Sequence, residues 1–241
     1  MLNVGFVRRL PLGITKKMKS EITKYYDKLA LKYDKDRFDN SYGNYIDMQE
    51  NNILKKHLNK DDVTRNLDIA CGTGRFLKYA DYGIDISKEM VSVSKIKFPN
   101  KHILIGDIEH LPYENSFFQN ALSFHLFMHL EFQQLKDIFK EVGKVIEKDG
   151  LFIFDMPSKK RRTLTKYKAT SWHGGNQISL KELKELTAEN WKLVSFHGIG
   201  FFPIHLIPKR IRKYVISLDN ILCNTIFKEL SSHIVYVLKK K

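Results

Sequence analysis

The residues best suited to chemistry stand together at positions 68–75, where an apolar, strand-like run ends in a turn containing two glycines. The run reads Asp68-Ile69-Ala70-Cys71-Gly72-Thr73-Gly74-Arg75. Because glycine lacks a Cβ, the backbone at Gly72 and Gly74 can adopt positive φ and let a ligand lie against the main chain. The free N–H groups of a helix beginning after such a turn favour polar or anionic ligand atoms. The spacing therefore predicts a binding site for a nucleotide-like cofactor.

Two common nucleotide-binding motifs compete for this run, and each lacks a required residue. The dinucleotide motif G-x-G-x-x-G needs a third glycine where this chain has Leu77. A phosphate-binding P-loop needs Gly-Lys followed by Ser or Thr, a combination that the sequence does not contain. What remains is D-x-A-x-G-x-G, with Asp85 ending the next apolar run and Asp107 following the one after it.

This pattern resembles the class I S-adenosylmethionine-dependent methyltransferases, in particular the type 11 methyltransferase-domain enzymes similar to those of ubiquinone and menaquinone biosynthesis. In that family the glycine turn lies under the methionine half of the cofactor, the acid after the second strand binds both ribose hydroxyls, and a further acid lies near the adenine. The segment 106–112, Gly-Asp-Ile-Glu-His-Leu-Pro, is similar to the family's GD-x-x-x-LP motif. The resemblance covers roughly residues 22–156 and implies S-adenosyl-L-methionine as the cofactor.

The resemblance also implies which residues contact that cofactor. Residues 25–34 are similar to a lead-in of the family, YYD-x-x-A-x-x-YD, from which an aromatic side chain closes over the cofactor. The predicted cofactor-binding residues are Tyr25, Tyr33, Asp68, Ala70, Cys71, Gly72, Thr73, Gly74, Arg75, Asp85, Ile86, Met90, Asp107, Ile108, Glu109, Phe124 and His125.

Two histidines are candidates for catalysis. Methyl transfer from a sulfonium is a direct displacement, so the enzyme mainly aligns the reactants, and a base is needed only for a hydroxyl or a protonated amine. His125 follows the fourth predicted strand and could be a base, a wall of the methionine pocket or a packed core histidine. His173 lies in the segment Trp172-His173-Gly174-Gly175, which could be a substrate-side loop or a surface turn.

A metal site at these histidines is not expected. His129 would share a helical face with His125 if the segment after the fourth strand were helical. No third ligand at a recognisable spacing accompanies the pair, so no metal ligands are predicted.

The elements that must position these residues alternate between strand and helix from Arg65 onward, which indicates a parallel sheet covered by helices on both faces. The predicted fold class is α/β, a Rossmann-like, seven-stranded, mostly parallel sheet with an N-terminal helical lid and a C-terminal capping helix. Strands are predicted near 66–70, 82–86, 102–106, 118–124, 151–155 and 191–197, with a final antiparallel strand in 232–238 between the fifth and sixth. Helices are predicted from Thr73 for about two turns and over 87–97, 131–147 and 179–188.

The domain organisation predicted is a loose tail at 1–19 and one methyltransferase domain over 20–241. Within it we expect a lid at 20–60, interrupted at 41–44, a cofactor-binding core at 61–156, an acceptor-side insertion and cap at 157–230, and the last strand at 231–239. The cap contains an amphipathic helix after Pro208. If its apolar face packs into the fold, its basic first turn would frame a pocket for an anionic acceptor.

Composition limits the classes of function. No apolar run approaches the ~18 residues that span a bilayer, and two cysteines provide neither a disulfide framework nor a zinc cluster, so a cytoplasmic protein is expected. The formal net charge of +14 is compatible with nucleic-acid binding, but it comes largely from lysine, whereas specific phosphate and base recognition tends to use arginine. The expected function is methyl transfer to a small-molecule or lipid-linked acceptor, with which a peripheral membrane contact is compatible, and the alternative is methylation of tRNA or rRNA.

Overall fold

A seven-stranded sheet organises the part of the chain that the structure, a computed structural model, describes: residues 16–59, 61–169 and 174–241. The strands are β1 (Asn66–Ile69), β2 (Tyr82–Asp85), β3 (His102–Ile105), β4 (Phe118–Ser123), β5 (Ile146–Pro157), β6 (Trp191–Ile199) and β7 (His233–Lys240). Their spatial order is β3-β2-β1-β4-β5-β7-β6, and β7 runs antiparallel to both of its neighbours. The predicted fold class and the antiparallel last strand are thereby confirmed.

Helices cover both faces of the sheet. They are α1 (Lys16–Leu29), α2 (Tyr33–Phe38), α3 (Ser41–His57), α4 (Lys88–Lys97), α5 (Leu135–Val145), α6 (Lys159–Leu164), α7 (Leu180–Thr187) and α8 (Lys209–Cys223). Two predicted helix starts are confirmed by their caps. The Ser87 hydroxyl accepts the Met90 N–H at the start of α4, and Ser179 and Glu182 form a reciprocal capping box at the start of α7. Among the described residues, no helix combines the length and apolar character needed to cross a bilayer.

The helix predicted from Thr73 is wrong. Gly74 has φ of 88°, outside the helical region, and the residues after it are joined by bonds three residues apart, Leu77 N–H to Gly74 O and Tyr79 N–H to Phe76 O. The segment between β1 and β2 is therefore a chain of tight turns. It is too short after Gly74 to repay the cost of starting a helix.

Three other boundaries differ from the sequence prediction. The lid is interrupted before Ser41, because Asn40 caps α3 through its side chain and α3 then runs through Gly43. The helix before β5 is α5, preceded by a short 3₁₀ turn at 132–134. β5 begins at Ile146 and not near residue 151, and residues 148–150 lie inside it at an irregularity in its pairing with β4, where Asp149 has φ of 66°.

The core lies mainly against the central strands. All four residues of β1 are buried, as are the last three of β4, and the rings of Phe127, Phe139, Phe152 and Phe154 pack together between β5 and α5. Burial on both faces is expected for strands in the middle of a parallel sheet. The carboxyl ends of β1 to β4 thereby meet at one rigid edge.

Candidate functional site

A cavity of about 140 Å³ lies at this edge, beyond the carboxyl ends of β1, β2, β3 and β4. One water needs about 10–15 Å³ on the same measure, so the cavity has room for a ligand of many atoms. Its lining includes most of the residues that the sequence assigned to the cofactor: Tyr33, Asp68, Ala70, Cys71, Gly72, Thr73, Arg75, Asp85, Ile86, Met90, Asp107, Ile108, Glu109, Phe124 and His125. Tyr25 and Gly74 are not part of that lining.

The two glycines of the turn have different roles. At Gly72, with φ of 54°, an added Cβ would meet no atom within 4 Å, so the main chain here is open to a ligand. At Gly74, with φ of 88°, a Cβ would come within 3.0 Å of the Phe98 ring. Gly72 therefore leaves room for a ligand, whereas Gly74 allows the turn to pack against the residue that ends α4.

Asp85 connects this turn to β2. Its Oδ2 accepts the Gly72 N–H at 2.8 Å and its Oδ1 accepts the Ser87 N–H at 2.8 Å. Burial raises the pKa of Asp85 to about 6, against the opposing effect of these N–H donors. Burial likewise raises the pKa of Asp68, at the centre of β1. The cavity floor thus holds two carboxyl groups with raised pKa values, one buried at Asp68 and one half-buried at Asp85.

Helix α1 closes the cavity from above through Lys19, Ile22 and Tyr26, which line it. Lys19 forms ion pairs with Asp107 at 2.6 Å and Glu109 at 2.5 Å, and the Tyr26 hydroxyl lies 3.0 Å from His129 Nε2. The sequence prediction chose Tyr25 where the structure has Tyr26. Helical spacing could have identified Tyr26 from the sequence, because Lys19, Ile22 and Tyr26 are three and four residues apart and so lie on one face of α1.

Arg75 connects the glycine turn to α3. Its Nη1 lies 2.5 Å from Glu50 Oε2 and 3.0 Å from Asp47 Oδ1, and its guanidinium stacks on Phe38 and Phe76. Glu50 is fully buried. Burial by itself would raise the pKa of Glu50, but Arg75 and His125 hold it down at about 2, so this buried side chain is a carboxylate.

His125 lies between two carboxylates. Its Nε2 is 3.0 Å from Glu50 Oε1, its Nδ1 is 3.7 Å from Asp155 Oδ2, and its N–H donates to Asp155 Oδ1 at 2.6 Å. Burial opposes a charge on the ring, yet Glu50 and Asp155 raise the pKa of His125 above its ordinary value. The backbone at His125 has φ of 60°, a conformation disfavoured for a non-glycine residue and often found at functional sites.

The condition under which His125 and His129 would share a helical face is not met, because the segment after β4 is not an α-helix. After His125 the chain enters a 3₁₀ turn at Phe127–His129, and His129 turns towards the lid. The side chains of Glu50, His125 and Asp155 instead bring oxygen and nitrogen ligands within 4.8 Å of one another. Because Arg75 already supplies a cation to Glu50, we interpret this cluster as a network of ion pairs.

Sequence reasoning missed Glu50, which is the partner of both Arg75 and His125. The available signal was its position in α3, where it lies on the same face as Ile46, Ile53 and Leu54 at helical spacing. A glutamate on an apolar face must be paired when buried. Its partners, however, are distant in sequence.

The second candidate, His173, and its neighbour Trp172 lie outside the described residues. The arginines before them tie the cap together. Arg161 donates to Phe201 O at 2.5 Å and to Leu230 O at 2.7 Å, and Arg162 donates to Gly174 O at 2.6 Å. These guanidinium groups are engaged with main-chain carbonyls, as expected for donors that join irregular segments.

Comparison with known proteins finds a matching family model and two relatives. A family model described as "Methyltransferase domain" matches residues 67–154. Uncharacterized protein MJ1252 of Methanocaldococcus jannaschii is 41% identical over 139 residues, which are 56% of this chain and 51% of that protein, so the chain spans about half the length of this relative. Uncharacterized protein MJ1123 of the same organism is 30% identical over 178 residues, 69% of this chain and 82% of that protein.

A solved structure shares the fold over nearly its full length. It is a protein of Thermotoga maritima described as an S-adenosylmethionine-dependent methyltransferase and possible histamine N-methyltransferase. The two are 18% identical, the match covers 93% of this chain and 99% of the other, and the TM-score is 0.62. At this identity the likeness concerns the fold.

Proposed function

Since this chain belongs to the S-adenosylmethionine-dependent methyltransferases with a type 11 methyltransferase domain, we propose that it transfers a methyl group to a small-molecule or lipid-linked acceptor. The observation that carries this proposal is the cavity at the glycine turn, which is lined by four acidic residues and closed by α1.

The residues present fit S-adenosyl-L-methionine, the cofactor of this family. The open main chain at Gly72 would support the methionine half, the half-buried Asp85 carboxylate would accept hydrogen bonds from the two ribose hydroxyls, and Asp107 with Ile108 would contact the adenine. The bound cofactor supplies an electrophilic methyl group on a sulfonium. In this structure Lys19 forms ion pairs with Asp107 and Glu109. Binding of the adenine would therefore require the Lys19 side chain to share these carboxylates with the adenine or to move away from them.

His125 is proposed as the general base for an acceptor that must lose a proton. Glu50 lies 3.0 Å from its Nε2, which favours a proton on that nitrogen, so in the neutral ring the proton of the acceptor would go to Nδ1, on the side of Asp155. Asp155 fixes the main chain at His125 and would stabilise the ring once it is charged. The lid would exclude water from this exchange.

The charges at the cavity favour a small acceptor over RNA. The cavity lining contains Asp68, Asp85, Asp107 and Glu109, and its lysine and arginine, Lys19 and Arg75, are both paired with carboxylates. An RNA-modifying site needs unpaired cations beside the cofactor to hold phosphates. Among the residues that line the cavity, the lysine and the arginine are thus both neutralised by carboxylates.

Calorimetry with S-adenosylmethionine tests the cofactor site. Asp85→Ala removes two charge-assisted hydrogen bonds worth about 1.5–3 kcal/mol each, so we expect affinity to fall at least about a hundredfold. The exposed Asp61→Ala is the matched control, and a thermal melt of each variant checks the fold. Equal affinities for Asp85→Ala and the parent protein would contradict the site assignment.

The acceptor class is tested separately. The protein and methyl-labelled cofactor are incubated with cell extract, which is then fractionated into small-molecule, lipid and RNA pools. Label in the first two pools is expected, and it should be absent with Asp85→Ala. Label confined to RNA would overturn the acceptor assignment while leaving methyl transfer intact.

A further inference from the structure

Helix α8 presents its apolar side to solvent. Four large side chains at helical spacing, here called the apolar stripe, are Ile211, Tyr214, Leu218 and Ile221, with exposed fractions of 52%, 67%, 51% and 61%. The sequence prediction considered that such residues would pack into the fold. The structure shows the reverse, because the buried residues of α8 are Arg212, Asp219 and Cys223.

The polar inner side of α8 fixes this orientation. Asp219 accepts hydrogen bonds from the Tyr45 hydroxyl at 2.7 Å and from the Phe202 N–H at 2.5 Å. Arg212 donates to Ser41 Oγ and to Ile207 O at 2.8 Å. Rotating the stripe inward would break these hydrogen bonds and leave the Tyr45 hydroxyl and the Phe202 N–H without their acceptor, which is unfavourable. The stripe is therefore held outward by the fold.

Cations lie beside the stripe. On the helical wheel Arg210 borders the stripe, Lys213 lies farther round the same side, and Lys209 begins the helix on the side away from the stripe; all three are exposed, as are Ser217 and Asn220. Asp219, the acidic residue of α8, is buried, so no negative charge faces solvent on this helix. Leu206 and Ile226, exposed by 73% and 87%, lie on short 3₁₀ turns that contact α8 and add further apolar surface.

We propose that α8 is a peripheral docking helix for an anionic lipid surface. An amphipathic helix with an apolar stripe and flanking lysine or arginine binds in the interface of a bilayer, the stripe among the acyl chains and the cations at the headgroups. The phosphates of RNA would pair with the cations but would leave the apolar stripe exposed to water. A second copy of this chain would bring the same cations face to face across a two-fold interface.

Docking through α8 also bears on the site. Helix α8 packs on α3, the helix that carries Glu50, so the membrane would lie next to an element that contributes to the cavity. This arrangement suits a lipid-linked acceptor. The docking proposal itself does not rest on methyl transfer, because its test measures binding alone.

Vesicle flotation of the full chain tests the proposal, with phosphatidylcholine vesicles containing about 30% phosphatidylglycerol compared with pure phosphatidylcholine at about 0.1 M salt. One variant is Leu218→Glu, which places a charge in the stripe. A second replaces Lys209, Arg210 and Lys213 by Gln. The controls are Leu31→Glu, at a site 91% exposed on the lid side, and Gln at the exposed Lys181, Lys184 and Lys192.

The parent protein should float with the anionic vesicles only. Leu218→Glu should reduce the partition coefficient at least about tenfold, and the triple variant on the order of a hundredfold, since each cation near an anionic surface is worth about fivefold. The control variants should bind as the parent does. Equal binding by all variants, or none by the parent, would overturn the proposal, as would sedimentation showing a dimer that Leu218→Glu dissociates.

Discussion

Replacing Glu50 by Gln tests whether the buried ion pairs of the site are organised as the structure shows. The change keeps the shape of the side chain and removes its charge. Burial alone would raise the pKa of Glu50, but Arg75 and His125 lower it from 4.5 to about 2. A pKa lowered to this extent corresponds to about 3 kcal/mol of stability for the charged form. Glu50→Gln should therefore lower the free energy of unfolding by about 3 kcal/mol near pH 7.

The difference in the free energy of unfolding between the parent protein and Glu50→Gln should depend on pH. Because the pKa of Glu50 is lower in the folded than in the unfolded chain, its contribution is complete above about pH 4.5 and is lost as the pH falls through about 2. The difference between parent and variant should shrink to about 2 kcal/mol at pH 3.5. Urea unfolding at the two pH values measures it.

The matched control is Glu189→Gln, on the exposed end of the chain segment after α7, which should change stability by less than about 0.5 kcal/mol. A second readout is the pKa of His125, followed by NMR, which should fall in Glu50→Gln because one of the carboxylates that raise it is gone. Unchanged stability at both pH values together with an unchanged His125 titration would refute the ion-pair network.

Two further predictions concern the backbone and the chemistry of the site. Glu50 and Asp155 raise the pKa of His125 against the effect of burial, so kcat should increase with pH through a value above 6.5, and His125→Gln should flatten that profile and lower kcat by about 10²–10⁴-fold; an unaltered profile would exclude His125 as the base. Ala70 has φ of 59°, so Ala70→Gly should raise the free energy of unfolding by about 1 kcal/mol in urea titration, and a loss of stability would show that the turn is not strained there.

The cavity at the strand ends was predictable because its determinants are local. Gly72, Asp85 and Asp107 each follow a short apolar run, and parallel strands bring such positions to one edge. The Asp85 and Asp107 side chains line the cavity without depending on a distant partner to place them there. The type of fold, the cofactor and most lining residues could therefore be predicted from short segments of sequence.

Features that depend on helical phase or length were less predictable. A lid helix with adjacent Tyr25 and Tyr26 can place either ring over the cavity. Which ring it is depends on how α1 packs on α4, where the Ser87 hydroxyl donates to Asp27 Oδ1 at 2.6 Å. The turn after Gly74 looked long enough for a short helix. Positive φ at Gly74 and the nearby start of β2 left only tight turns.

Glu50 shows why the chemistry at His125 was harder to predict than the cofactor cavity. Its carboxylate contacts Arg75 on the glycine turn and His125 after β4. Together with α3, which carries Glu50, these are three separate parts of the chain. In sequence, each could be paired with any of many charged residues. Only tertiary packing decides which buried charges meet, and it therefore also decides the protonation of His125.

Helix α8 shows that an amphipathic pattern does not state which side faces the core. The pattern identifies the helix and its two faces, and the usual expectation is that the apolar face is buried. Here Asp219 and Arg212 have partners on α3 and its neighbouring loops, and these polar contacts bury the opposite face. Because the buried hydrogen bonds of Asp219 and Arg212 keep the apolar stripe in water, the stripe does not stabilise the folded monomer. Its presence is most simply explained by a surface that covers it, and the adjacent cations indicate that this surface is anionic.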